Sequence, residues 1–193
     1  MSFRILAVCT GNVCRSPMAE LLLRDWADPR AGLQVSSAGT QALVGRTVDG
    51  GTAAVLRRWG LDPTRHRARQ LTSAMAAEAD LILTAERAHR DQLIHDLPSA
   101  FKRTFTMAEF ARLAERLRTS DSPAAAVAAV AAVAAARAGA GPVPPDDDDL
   151  PDPFGWTASR TRPVAERLTG IVQLTLDALN FSPRRIHRLS SGT

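Results

Sequence analysis

The sequence predicts an α/β domain, a parallel sheet with helices on both of its faces. Three observations lead there. Candidate strands at 3–8, 33–37, 80–84 and 102–106 alternate with stretches whose apolar residues return at helical spacing. The first strand runs straight into a tight loop that opens a helix, the unit from which parallel sheets are built. A chain of 193 residues with 45% hydrophobic content can bury one core and still carry an insertion.

The elements follow in order. Ile5-Leu6-Ala7-Val8 is the apolar centre of the first strand. A helix over 16–27 has Pro17 in its first turn and Met18, Leu21, Leu22 and Trp26 along one face. A strand at 33–37, a helix at 51–59, a strand at 80–84 and a helix at about 86–96 come next. A strand at 102–106 and a helix at 108–118 close the first part. Val164, Leu168, Val172, Leu176 and Leu179 recur at helical spacing and predict a last helix over about 162–180.

Before that helix, Ser122-Pro123 reads as a cap. The run Ala124 to Ala138 continues it as a helix, with Val127, Val130 and Val133 on adjacent turns. An alanine face buries little area, so this helix is expected to pack weakly on the body or against another copy of the chain. Gly139 to Pro145 and the run Asp146 to Asp149 read as a flexible, solvated linker. The expected domain covers 1–181, and Ser182 to Thr193 reads as a basic, flexible tail.

The chemistry is concentrated in Cys9-Thr10-Gly11-Asn12-Val13-Cys14-Arg15-Ser16, between a strand's carboxyl end and a helix N-terminus. Unpaired N–H groups converge there and the helix dipole favours negative charge. A thiol in such a setting beside an arginine is biased toward the thiolate, so Cys9 is expected as the nucleophile. Arg15 presents a planar fork suited to two phosphoryl oxygens. Gly11 offers backbone conformations that help N–H groups point inward as an anion nest, and Ser16 is placed to donate to the sulfur. Together Thr10 to Ser16 form the expected phosphate-binding set. A phosphoryl leaving group departs faster when protonated, so an acid must come from elsewhere. In Leu150-Pro151-Asp152-Pro153-Phe154-Gly155, Pro153 stiffens the loop and Gly155 permits a sharp turn, a setting compatible with an acid at Asp152 or with a plain turn aspartate.

The Cys-x5-Arg-Ser loop near the start, in the string CTGNVCRSPMAE, resembles the signature of the low-molecular-weight protein tyrosine phosphatases. The resemblance implies a small four-stranded, flavodoxin-like parallel sheet, the fold of that family. It also implies a cysteine-dependent phosphatase working through a phosphocysteine, with Cys9, Arg15 and Asp152 as catalytic residues. Asp152 matches the family's Asp-Pro-aromatic motif, and Phe154 takes the aromatic position of the cleft wall. Further likeness runs through Val35 to Thr40, Asp49, Leu56, Gly60, His66 to Leu71 and Ala79 to Leu83. By resemblance Asn12, Ser37 and His66 support the phosphate loop. Against this pattern, about 120–149 stands out as an Ala-rich insertion.

The sequence also departs from its relatives. It has no tyrosine, so Gly155 stands where many relatives carry one after the acid motif. Leu43, in Gln41-Ala42-Leu43-Val44, takes the other cleft wall, leaving Phe154 and Trp156 to stack on a ring. Val13 separates two specificities, since related protein-arginine phosphatases carry threonine there. It favours phosphotyrosine, with phosphoarginine as the alternative. An arsenate reductase of the same fold would need a cysteine downstream, and none follows Cys14. A catalytically weak phosphate-binding scaffold is the remaining rival. Cys14 is either a disulfide partner for Cys9 or a buried small residue.

Composition narrows the class further. Both cysteines lie in one loop, which suits a reducing, cytoplasmic setting and not a disulfide framework. No basic-then-apolar leader and no bilayer-length apolar run is expected. The formal charge is +4, carried almost wholly by arginine, and clusters such as Arg65-His66-Arg67 and Arg184-Arg185 attract acidic substrates. No pattern argues for nucleic acid. The expected partners are phosphorylated proteins and inorganic phosphate or similar oxyanions, with weak self-association through the Ala-rich helix. No metal or cofactor is expected.

Overall fold

The computed structural model describes residues 2–117, 126–141 and 143–181. The Ser122-Pro123 cap, the pair Arg184-Arg185 and the tail at 182–193 lie outside these residues. Strands β1 (Phe3–Cys9), β2 (Leu33–Gly39), β3 (Leu81–Thr84) and β4 (Thr104–Thr106) form one sheet in the order β2-β1-β3-β4. All three pairings are parallel, with Cys9 opposite Gly39 and Val8 opposite Thr84. The chain leaves β1 for a neighbour on one side and later crosses to the other. The carboxyl end of β1 therefore lies at a topological switch point, where open α/β sheets bind ligands.

The core explains why β1 is apolar at successive positions. Phe3, Ile5 and Ala7 point into one cluster while Leu6 and Val8 point into another. A strand buried on both faces has no polar side to alternate with. The larger cluster takes helices α1 (Arg15–Trp26) and α2 (Gly50–Arg58), together with three later helices. The smaller includes Ala76 of α3 (Ser73–Glu78) and Leu93 of α4 (Arg87–Asp96). Among the later helices, α5 (Met107–Leu117) packs on α8 (Ala158–Ala178).

Several expectations need correction. The fourth strand begins at Thr104, because Pro98–Arg103 winds as a 3-10 helix opened by its proline. Helix α3 has no counterpart in the expected elements. Thr72 caps it, accepting from the Met75 amide, although only Ala76 in it is buried.

The Ala-rich segment forms α6 (Ala126–Gly139), with Ala129, Val130 and Val133 buried and Val127 exposed. It is not a weakly packed helix. Arg137 bonds the buried Glu109 carboxylate of α5 at 2.7 Å and lies 3.9 Å above the Phe105 ring. Nor is the aspartate run a solvated linker. Helix α7 (Pro145–Asp148) buries Asp148 against Arg112 at 3.1 Å, and Asp149 accepts from the Arg87 amide at 2.7 Å. Arg167 ties the same run down through the carbonyls of Asp146, Asp147 and Asp149. A carboxylate run looks solvated until arginines on other elements neutralise it, and those arginines are far away in sequence. Among the described residues no helix is long and apolar enough to cross a membrane.

Candidate active site

The loop from Cys9 to Ser16 curls over the end of β1 and feeds α1, which has no acidic residue in its first turn. A helix start free of carboxylates leaves its N–H groups and dipole available to an anion. Cys9 is buried, and its Sγ lies 3.0 Å from the Ser16 hydroxyl. Both cysteines are free thiols. Cys14 is buried as well, and burial pushes its thiol up to about 12. The Thr52 hydroxyl opposes burial, and the Asp49 and Asp152 charges add smaller effects in burial's direction. Cys14 therefore stays protonated across the neutral range.

The left-handed turn of the loop falls on Asn12, with φ 54°, and Gly11 is not among the positive-φ residues. That corrects the role expected of Gly11. Asparagine tolerates this conformation when its side chain is held. Here Asn12 Nδ2 donates to Ser16 and Ser37, both at 2.9 Å, and its Oδ1 accepts from the Arg69 amide. His66 Nε2 lies 2.7 Å from the Asn12 carbonyl, and Ser37 donates in turn to Glu20 at 2.6 Å. The loop is thus braced from β2, from α1 and from the 66–69 segment. Gly39 completes the brace by its lack of a side chain, since a Cβ there would sit 2.3 Å from the Thr10 carbonyl.

Arg15 is 1% exposed, with its guanidinium at the loop. Nη1 donates to Glu86 and to the Leu150 carbonyl at 2.9 Å, while Nη2 lies 3.0 Å from Asp152 Oδ2 and 3.4 Å from Thr10 Oγ1. Its buried Nε has no partner among the described residues. A buried cation with an idle donor can bind an oxyanion.

Asp152 is half-exposed and belongs to a loop anchored at both ends. Leu150 is buried and its amide donates to the Ala85 carbonyl. Gly155 adopts φ +73° and donates to Asp49 Oδ1, while the Phe154 amide donates to Asp152 Oδ1. Asp49 also caps α2 and donates its own amide to the Val13 carbonyl. A cavity of about 240 Å³ is lined by Cys9, Val13, Arg15, Leu43, Asp152 and Phe154 among others. Thr10, Gly11 and Cys14 contribute to the same wall. Trp156, expected to stack on a ring in the cleft, instead carries the Arg160 guanidinium 4.0 Å above its own ring.

Sequence reasoning missed Glu86 and His89, which open α4 beside the loop. Thr10 Oγ1 lies 2.9 Å from His89 Nε2. The one available signal was a Glu-x2-His pair directly after an apolar strand, at the end of the sheet where ligands bind.

Comparison with known proteins comes down on one family. The family model for "Low molecular weight phosphotyrosine protein phosphatase" matches residues 4–123, which leaves the Asp152 loop beyond the match. "Probable low molecular weight protein-tyrosine-phosphatase EpsP" of Ralstonia nicotianae is 40% identical over 105 residues, 54% of this chain and 70% of that protein. Among solved structures, the YwlE arginine phosphatase from Geobacillus stearothermophilus aligns with a TM-score of 0.70 at 28% identity, covering 92% of this chain and 93% of that one. The tyrosine phosphatase Wzb from Escherichia coli K30, in complex with sulphate, aligns with a TM-score of 0.67 at 27% identity, covering 93% and 99%.

Proposed function

The chain belongs to the low molecular weight phosphotyrosine protein phosphatase family, and from that premise we propose that it hydrolyses protein phosphotyrosine with Cys9 as nucleophile. The observation that carries the reading is the buried Arg15 beside Cys9, with an idle Nε and a half-exposed carboxylate across the cavity. Cys9 attacks phosphorus in line, so that an S–P bond forms as the P–O bond to the phenol breaks. Arg15 and the loop amides hold the equatorial oxygens. Asp152 gives its proton to the departing phenolate. It then takes one from the water that breaks the S–P bond and frees phosphate. An entering phosphoryl group displaces the Asp152 carboxylate from Arg15 Nη2.

The substrate's aromatic ring fits between Leu43 and Phe154, which line the cavity mouth. Val13 at its floor favours a ring over a guanidinium, having no hydroxyl to bond one. Phosphoarginine is the second reading, favoured by the alignment with the arginine phosphatase from Geobacillus stearothermophilus. Hydrolysis of matched phosphotyrosine and phosphoarginine peptides separates the two. The first reading expects a higher kcat/KM on phosphotyrosine, and a reversed order overturns it.

Two further parts belong to this reading. A nucleophilic thiol works only while reduced, which suits a cytoplasmic setting. A second copy of the chain is the occupant proposed for an open groove of about 610 Å³ between α6 and the 98–103 turn. Glu78, Asp80, Lys102 and Arg103 all line this groove, so a two-fold pairing can set carboxylates of one copy against cations of the other. Concentration-dependent sedimentation that disappears in Val127→Asp is the expected result, and a monomer at all concentrations removes the pairing.

A further inference from the structure

Two side chains three residues apart at the start of α4 reach the phosphate loop. Glu86 takes Arg15 Nη1, and His89 takes Thr10. Thr10 Oγ1 in turn lies 3.4 Å from Arg15 Nη2. A guanidinium can only donate, so Thr10 accepts from Arg15 and has one proton left to give. That proton goes to His89 Nε2, which must then be the unprotonated nitrogen, with the ring hydrogen on Nδ1. His89 is buried, and Nδ1 has no partner among the described residues.

Burial holds the imidazole below its ordinary range, toward the neutral form this chain of bonds requires. The charged groups around it are Glu86 at the start of α4, Arg15 from the loop, and Asp149 and Asp152 from the acid segment. Arg15 adds to the effect of burial, and the three carboxylates oppose it.

We propose that Thr10 and His89 act together as positioning residues that aim Arg15 at the bound phosphoryl group. Glu86 and the Leu150 carbonyl fix one amino group of the guanidinium, Nη1. Asp152 contacts the other, Nη2, from the side on which a phosphoryl group enters. Once phosphate takes its place, the Thr10 hydroxyl is the protein group left on Nη2, and His89 keeps that hydroxyl turned with its lone pairs toward the arginine. The pair thereby keeps the Nη2–Nε edge of the planar guanidinium turned toward two phosphoryl oxygens. This rests on the phosphatase reading for its purpose but not for its test.

The test titrates inorganic phosphate into the full chain by calorimetry. Thr10→Val and His89→Leu should each weaken phosphate binding by about three- to tenfold. The double variant should lose no more than either single one, because both break the same contact. Thr10→Ser keeps the hydroxyl and should bind as the parent does. Nitrogen NMR of the ring should find His89 with its hydrogen on Nδ1. Unchanged affinities, losses that multiply in the double variant, or a hydrogen on Nε2 overturn the proposal. If His89→Leu does not fold, the contrast of valine with serine at Thr10 and the ring tautomer decide it. A parent chain that binds phosphate but hydrolyses nothing overturns the phosphatase reading, and the binding results still decide the pair.

Discussion

Asn12 is the residue on which the loop's shape turns. It holds a left-handed backbone at φ 54° with both ends of its amide bonded. Asp152 is the complementary residue on the facing loop. Asp152→Asn keeps the size and removes the proton, so kcat should fall by roughly two to four orders of magnitude while phosphate affinity changes little. Near-parental turnover would exclude Asp152 as the acid. Cys14 gives a second prediction. Its ordinary value is 9.0 and burial raises it to about 12, so folded Cys14 keeps its proton when the unfolded chain has lost it. Its contribution to stability is full below pH 9.0 and is lost as pH rises toward 12, by about 1.4 kcal/mol per pH unit. Urea midpoints from pH 8 to about 10.5 should fall more steeply for the parent than for Cys14→Ala, and parallel curves would contradict this. Cys9, Arg15 and Asp152 stood out in the sequence because each sits in a short local motif. Glu86 and His89 were not, since each meets the loop through a partner 71 or 79 residues away.

At the scale of elements, the N-terminus of α2 sets the height of the acid loop. A Cβ on Gly51 would lie 2.0 Å from the Trp156 carbonyl, a backbone atom that has no rotamer to turn away. Gly51→Ala should therefore push the 152–156 segment outward, lowering kcat by about ten- to a hundredfold. Affinity for inorganic phosphate should stay near parental. An unchanged kcat would show that the loop's position does not matter.

Helix α6 makes the opposite kind of prediction. Arg137 carries its ion pair to Glu109 and its contact with the Phe105 ring. Arg137→Ala should cost about 1–3 kcal/mol, because Glu109 keeps Arg90 as a partner. Amide exchange should quicken along α6 first, and hydrolysis of p-nitrophenyl phosphate should persist. An unaltered exchange pattern would mean that the alanine and valine face alone docks the helix. Composition revealed this helix but not its anchoring, which a single arginine supplies through long-range contacts. The aspartate run was misread for the same reason, as Arg87, Arg112 and Arg167 come from three other helices.

For the whole molecule, alternation of strand and helix was enough to read a parallel sheet, because a strand buried on both faces leaves an unbroken apolar run. The strand order β2-β1-β3-β4 was not readable from periodicity. It depends on which edge each crossover chooses, and that choice is what opens the crevice at the end of β1. Into that crevice the fold brings a thiol from β1, a cation from α1, Glu86 and His89 from the start of α4 and the Asp152 carboxylate from the segment before α8. The arrangement has a purpose only if the thiol becomes covalently phosphorylated. Mixing Asp152→Asn with p-nitrophenyl phosphate, whose leaving group needs no acid, should let the intermediate form and slow its breakdown. After a denaturing quench near neutral pH, peptide mass spectrometry should find one phosphoryl group on Cys9, and none in Cys9→Ser. An unmodified Cys9 during turnover, or a phosphoryl group on any other residue, would contradict the account.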